Sequence, residues 1–364
     1  QEGLRRICGE LQVDYPVAPA VAFNLTSKLE TRIKLEHLIS QHPEIEAESL
    51  NKPVFILGLN RTGTTFLHRV LEASGIFEAP HVEDQVLLPT AQKIAYPDDS
   101  SEKSRRLALS SVMEEVKNTM HGIHEIGLSV AEEDMYAHSA TFASLEFDIL
   151  YGLPKYRDWL DEYPFMDELY KEHRRWAKAT VWNRRRRSKQ ALERWCFKLP
   201  WHGRSIPSLL KAYPDAIFVH THRDPKTVAS SWFSLVEGQR KRFKDDVVSH
   251  DIACDELKTL QQTLEAVMSF RSNHNHFSER WLDVDFNDIV SNPKEVARRV
   301  ALHAGIHLDD EATKRVAAYV DQSHRERESR SRPKKHNLVT YGIDEKRFEE
   351  GIFKKYQEKH LPSL

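Results

Sequence analysis

Pro53-Val54-Phe55-Ile56-Leu57-Gly58-Leu59-Asn60-Arg61-Thr62-Gly63-Thr64-Thr65 is the stretch from which the fold of this chain is read. Its first five residues are apolar and rich in strand formers, as expected of a short strand covered on both faces of a parallel sheet. Beyond the loop, Phe66, Leu67, Val70 and Leu71 recur at helical spacing until Gly75, a suitable helix stop. A strand, a glycine loop and a helix in series turn backbone N–H groups and the positive helix end toward an anion. Gly58 and Gly63 have the spacing of a nucleoside-triphosphate loop, but such a loop needs a Lys directly after its second glycine. Thr64 stands there instead, and the cation of the loop is Arg61. The loop is built for an anion, and its chemistry points away from triphosphates.

A second informative segment lies near residue 220. Ala216-Ile217-Phe218-Val219-His220-Thr221 predicts another strand, after the turn Tyr213-Pro214-Asp215. It runs into His222-Arg223-Asp224-Pro225, where Asp224 is placed to N-cap a helix and Pro225 to fill its first position. On that helix Thr227 and Ser231 share a face, and Ser231 lies eight residues beyond Arg223. An Arg at a strand end with a hydroxyl on the next helix forms a second anion site at the carboxyl edge of a sheet.

Together these segments carry a resemblance. Arg61-Thr62-Gly63-Thr64-Thr65 resembles the 5′-phosphosulfate loop of sulfotransferases that use 3′-phosphoadenosine-5′-phosphosulfate (PAPS), and Arg223 to Ser231 resembles their 3′-phosphate motif. Phe197-Lys198-Leu199-Pro200-Trp201-His202 is similar to the Lys-x-Pro-x-His stretch of the bacterial-type branch, and Phe286 to Pro293 to its late strand-helix element. His336-Asn337-Leu338 with Tyr341-Gly342-Ile343 is similar to its C-terminal cofactor-side loop. The matching stretches are spread over residues 28 to 350, nearly the whole chain.

The resemblance implies an α/β fold: a three-layer, P-loop-like core with a short parallel sheet of four or five strands flanked by helices, plus a helical acceptor-cap insertion. One sulfotransferase domain would span 1–364: an N-terminal helical segment at 1–50, the nucleotide core at 51–80 and 195–310, the cap at 81–194, and a cofactor-side loop and helix at 311–364. It implies transfer of the sulfuryl group from PAPS to a hydroxyl or amine of a small-molecule acceptor, leaving 3′,5′-adenosine bisphosphate, with no metal. Arg61, Thr62, Gly63, Thr64 and Thr65 would hold the 5′-phosphate, Arg223 and Ser231 the 3′-phosphate, with Lys334 and Lys335, or Arg330 and Arg332, as further contacts. Lys198 would reach the sulfuryl group or the bridging oxygen.

For the general base, Glu83, twenty-two residues past Arg61, matches the Glu of the bacterial-type and tyrosylprotein branches. The cytosolic branch carries a His two residues after the Lys, where this chain has Pro200, so His202, His81 and His124 stand as alternatives to Glu83. Asn60 replaces the Pro that many relatives have before the Arg, and Asn tolerates unusual backbone angles. Trp232, Phe233 and Phe286 are available to stack on the adenine.

The rest of the chain fits this reading. With 364 residues and 40 % hydrophobic content it suits one domain with insertions or two small ones. A net charge of −2 gives no general pull toward nucleic acid or anionic membranes, and no apolar run reaches bilayer length. Three cysteines without metal-ligand spacing favour a reducing, cytoplasmic compartment, and a start at Gln1 leaves room for a segment before it. Residues 100 to 145 and Tyr156 to Ala191 read as helical, the latter containing Arg184-Arg185-Arg186-Arg187, which suits a solvated helix face. A helix at Ser27 to Gln41, with Leu29, Ile33, Leu35, Leu38 and Ile39 as its apolar face, should pack on the sheet core or serve a homodimer. Two rival readings are a metal-dependent P-loop kinase or NTPase and a non-catalytic nucleotide-binding relative. The first needs a Lys at position 64 and a carboxylate at the second strand end, where the chain has His220-Thr221-His222-Arg223.

Overall fold

The computed structural model describes residues 1–12, 17–86, 107, 110, 127, 129–187, 194–328 and 337–361. The chain divides into two compact units: Gln1–Leu50 with Pro80–Ala191 and Gly238–Asp246, and Asn51–Ala79 with Leu192–Glu237 and Val247–Leu364.

The second unit carries the sheet. Five parallel strands, β1 (Val54–Gly58), β2 (Phe77–Glu78), β3 (Arg194–Lys198), β4 (Ile217–His222) and β5 (Trp281–Asp285), lie in the order β2-β3-β1-β4-β5. The two-residue β2 is too short to show a period in the sequence. On one face Val54 and Ile56 of β1, Cys196 of β3 and Val219 of β4 pack beneath the helices Thr64–Ala73, Pro293–His303 and Asp310–Glu328, through Leu67, Val70, Val296, Val300, Ala312 and Val316. On the other face Phe55 stacks on Phe197 at 5.2 Å, and Phe218 on Trp281 at 4.5 Å. Cover on both faces is the reason β1 reads as an unbroken apolar run.

This second face turns polar toward the end of β4. His220 and His222 follow Phe218 at the two-residue period of a strand and so share its side. His222 Nε2 lies 2.7 Å from Asp283 Oδ1, Arg271 grips both carboxylate oxygens at 2.7 and 2.8 Å, and the His360 ring stacks on His222 at 4.3 Å. Burial opposes a charge on Asp283, but the hydrogen bonds from Arg271 and His222 outweigh it and hold the carboxyl well below its ordinary range. Burial, reinforced by the neighbouring charge of His222 and Arg271, drives His220 far down and pushes His360 to about 3.

The first unit is helical. Its helices include Ala18–Gln41, Met135–Ser139, Leu145–Tyr151, Pro154–Asp161 and Met166–Arg187. The N-terminal helix starts nine residues before the expected Ser27 and belongs to this unit, not to the sheet core. Its buried side is also different from the one expected: Leu29 and Ile33 are exposed, while Ser27, Lys28 and Thr31 are buried beside Leu35, Leu38 and Ile39. The reason is Lys28, which pairs with buried Glu146 at 3.1 Å and lies 4.5 Å over the Tyr136 ring. A polar residue with a buried partner belongs to the inner face, and apolar periodicity misses it. Arg157 and Arg240 likewise share buried Asp148, at 2.7 and 3.3 Å. In the arginine run, Arg184 pairs with Asp84, Arg185 with Glu48, and Arg186 lies 4.6 Å over the Trp182 ring.

The polar seam at the end of β4 makes stability depend on pH. His220 and His360 bind fewer protons in the fold than in the unfolded chain, so their contribution is complete above the ordinary imidazole value of 6.5 and falls away below it. Denaturant midpoints should drop between pH 6.5 and about 3, and a His360→Phe variant should drop less steeply. An unchanged slope in the variant would remove His360 from this account.

Candidate functional site

The two predicted anion-binding segments converge at the carboxyl ends of β1 and β4. From central β1 the chain builds the sheet toward β3 and β2 on one side, and β4 leads to β5 on the other. The crevice beyond β1 and β4 is therefore a topological switch point, where open parallel sheets bind ligands.

Gly58 ends β1 opposite Thr221 of β4. Its φ is +145°, and a Cβ there would come within 2.5 Å of Thr221 Oγ1 and 2.6 Å of the Thr221 carbonyl oxygen. Thr62 Oγ1 donates to the Leu59 carbonyl at 2.6 Å, so Thr221 supplies the proton of the 2.6 Å contact between the two hydroxyls. The Thr62 side chain, fully buried, thus ties the loop to β4, which leaves its backbone N–H rather than its hydroxyl for a ligand. Gly63 is left-handed at φ +88°, with the Phe286 ring 3.2 Å from where its Cβ would lie, and the loop helix starts at Thr64.

Arg61 is itself left-handed, at φ +67°. The left-handed residue is the Arg and not the tolerant Asn60 before it, at a cost of about 1–3 kcal/mol that the surroundings must offset. They do so with two contacts: Arg61 Nε donates to Ser231 Oγ at 3.1 Å, and the Arg61 carbonyl accepts from Arg223 Nη1 at 2.8 Å. Arg61 is thus brought into one cluster with Arg223 and Ser231, which lie far from it in sequence. Asp224 caps the helix Pro225–Arg240 as its sequence predicts, accepting from the Thr227 N–H at 3.1 Å.

The Arg223 guanidinium lies 3.8 Å over the Phe286 ring. Among the described residues no carboxylate forms an ion pair with it, and burial works against its charge. A half-buried cation without a paired carboxylate among the described residues retains the capacity to pair with an anion. Phe286 is the one of the three candidate adenine rings that borders this cluster: Trp232 donates to buried Glu256 at 2.6 Å, and Phe233 packs on Tyr341 at 5.5 Å. Thr221 escaped the sequence reading, though a small hydroxyl residue in register with the loop glycine is a signal that strand pairing would supply.

Lys198, at the end of β3, is fully buried and donates to Thr65 Oγ1 at 3.2 Å, on the loop side of the sheet. His202, also fully buried, packs edge-on to Phe55 at 5.1 Å, in the aromatic layer of the opposite face. In the helical unit Glu83 is partly exposed and accepts from Ser129 Oγ at 3.1 Å, while the His81 N–H donates to Asp84. His124, Arg330, Arg332, Lys334 and Lys335 lie outside the described residues. His220, His222 and Asp283 are the described group with metal-ligand spacing, their ligand atoms within 4.8 Å. Arg271 Nη1 already stands 2.7 Å from Asp283 and 3.1 Å from His220, so a guanidinium supplies the cation there.

The sequence profile of the sulfotransferase family matches residues 53–310, and the chain belongs to that family. Its fold is similar to sulfotransferase STF9 from Mycobacterium avium, with a TM-score of 0.82 and 22 % identity over 98 % of this chain and 90 % of that one. It is also similar to sulfotransferase STF1 from Mycobacterium tuberculosis H37Rv, with a TM-score of 0.75 and 24 % identity over 99 % and 91 %. No curated protein matches the sequence. Family membership makes the chain a transferase that takes a sulfuryl group from a sulfate donor. Among the described residues no helix is long and apolar enough to cross a membrane.

Gly58 gives a direct test of the loop geometry. A Gly58→Ala variant should lose about 2 kcal/mol or more in denaturant unfolding, because its methyl meets the Thr221 backbone and cannot be relieved by a rotamer change. Wild-type stability in the variant would mean that β1 and β4 do not approach as described.

Proposed function

We propose that the chain transfers the sulfuryl group of PAPS to a hydroxyl or amine of a small-molecule acceptor by in-line displacement. The observation that carries this reading is the Arg223 guanidinium, half-buried on Phe286, without a paired carboxylate among the described residues, and tied to the loop through the Arg61 carbonyl. A second anion site at that distance from a lysine-free phosphate loop suits a nucleotide with a 3′- and a 5′-phosphate better than a triphosphate.

In this reading the backbone N–H groups of Thr62, Gly63, Thr64 and Thr65, with the Arg61 side chain, hold the donor's 5′-phosphate at the helix N-terminus. Arg223 and Ser231 hold its 3′-phosphate. Lys198 is supported as the group facing the transferred sulfuryl by its burial and its contact with Thr65. A cation there stabilises charge on the oxygen bridging to the departing phosphate, as in other transfers through loose transition states. Sulfuryl transfer of this kind needs no divalent ion. Glu83 is proposed as the acceptor's base from the family resemblance, and the helical unit as the part that selects the acceptor. Free Cys8, Cys196 and Cys254 support a reducing, cytoplasmic setting.

Calorimetric titration of chelator-treated protein with 3′,5′-adenosine bisphosphate tests the donor site. Binding should be tight without metal, and Arg223→Ala should weaken it by roughly thirty-fold or more, the loss of one charge-assisted contact. Indifference to the bisphosphate, with binding of ATP and Mg²⁺ instead, would sink the proposal. Glu83→Gln should leave bisphosphate affinity unchanged while lowering kcat by about 10²-fold or more with any acceptor that turns over; an unchanged kcat would pass the role of base to His81, His124 or His202.

A further inference from the structure

Arg61 is the left-handed residue of the loop that is not a glycine, and an arginine without support would return to an ordinary conformation. Two residues from beyond β4 hold it. Arg223 Nη1 donates to the Arg61 carbonyl at 2.8 Å, and Ser231 Oγ accepts from Arg61 Nε at 3.1 Å. The carbonyl that Arg223 grips belongs to the same peptide unit as the N–H of Thr62. A trans peptide is planar, with its C=O and N–H pointing in opposite directions, so fixing the Arg61 oxygen also fixes the direction of the Thr62 N–H. The Thr62 hydroxyl already meets that of Thr221 at 2.6 Å, so the side chain and the N–H of Thr62 are both set from β4 and the residue that follows it. Arg223 is itself a firm point. Its guanidinium lies 3.8 Å over Phe286, and the residue before it, His222, is held by Asp283 at 2.7 Å and by the Tyr356 hydroxyl of the C-terminal helix Gly351–His360 at 3.0 Å. A guanidinium carries several N–H groups, so a bond to Arg61 leaves others for a phosphate.

We infer that Arg223 is also the positioning residue of the phosphate loop: by gripping the Arg61 carbonyl it holds Arg61 left-handed and aims the Thr62 N–H, so that it sets affinity for a 5′-phosphate as well as for a 3′-phosphate. The inference rests on the reading of the loop as the 5′-phosphate site. In this second role Arg223 touches no part of the 5′-phosphate and acts through the Arg61 backbone alone. A nucleotide that lacks the 3′-phosphate isolates that role, because it gives the guanidinium no ligand of its own. Glycine at position 61 removes the need for the role, because glycine takes the left-handed conformation without support.

The test measures, by competition calorimetry, how much more tightly adenosine 5′-phosphate binds than adenosine in wild type, Arg223→Ala, Arg61→Gly and the double variant. That ratio is the contribution of the 5′-phosphate. Arg223→Ala should lower it about ten-fold, the worth of one hydrogen bond from a charged donor. In the Arg61→Gly background the same change should leave the ratio where it was. Arg223→Met keeps an apolar stem against Phe286 while removing the donor, and serves if Arg223→Ala fails to fold. A ratio in Arg223→Ala equal to that of wild type overturns the inference, including the case in which both ligands weaken together. An equal fall with and without Arg61→Gly also overturns it, because the arginine would then act through its charge and not through the Arg61 backbone. Absence of any gain from the 5′-phosphate in wild type would instead withdraw the reading of the loop, and this inference with it.

Discussion

Where β1 ends, Gly58 lies against Thr221 of β4 with no room for a methyl group, and the donor-side geometry follows from that approach. It lets the Thr62 and Thr221 hydroxyls meet at 2.6 Å, which seats the loop on the neighbouring strand. It also brings the residues following β1 within reach of those following β4, so that Arg61 accepts from Arg223 and donates to Ser231. The left-handed backbone at Arg61 costs free energy, and those two contacts are what hold it there. A loop held this way is preorganised: its backbone N–H groups are oriented by packing.

The supports lie on both faces of the sheet. On one, Lys198 reaches Thr65 from the end of β3. On the other, the aromatic layer of Phe55, Phe197 and Phe218 gives way near the end of β4 to the hydrogen-bonded group of His220, His222, Asp283 and Arg271. Such a group is an expensive way to fill a core, since each ionised member loses its hydration. It earns its place by connecting the C-terminal helix to the strand end that carries Arg223. The same region makes acid pH a destabilising condition for this unit, because His220 and His360 bind a proton less readily in the fold than in the unfolded chain.

Legibility in the sequence followed the range of the interactions involved. The loop, its helix and the Asp224 cap are written in contiguous residues whose local chemistry allows few conformations, and the structure has them where the sequence puts them. The N-terminal helix was read as present but turned wrongly, because Lys28 is buried by Glu146, which lies more than a hundred residues away. Phe286 was one of three rings the sequence offered for the nucleotide, and only packing separates it from Trp232, held by Glu256, and Phe233, set against Tyr341. His202, four residues after Lys198, lies on the opposite face of the sheet because the chain leaves β3 into the turn Pro200–Arg204 that carries it.

By itself, the sequence determined the α/β class, the lysine-free glycine loop between strand and helix, the capped helix after the Arg223 strand end and, through them, the sulfotransferase family, since each depends on residues near one another in the chain and on steric rules that act locally. The tertiary structure alone decided the pairing of Gly58 with Thr221, the strain at Arg61, the ring beneath Arg223 and the contact of Tyr356 with His222. Those are contacts between segments that strand order and packing bring together, and no local rule specifies which partner a buried hydroxyl or guanidinium will meet.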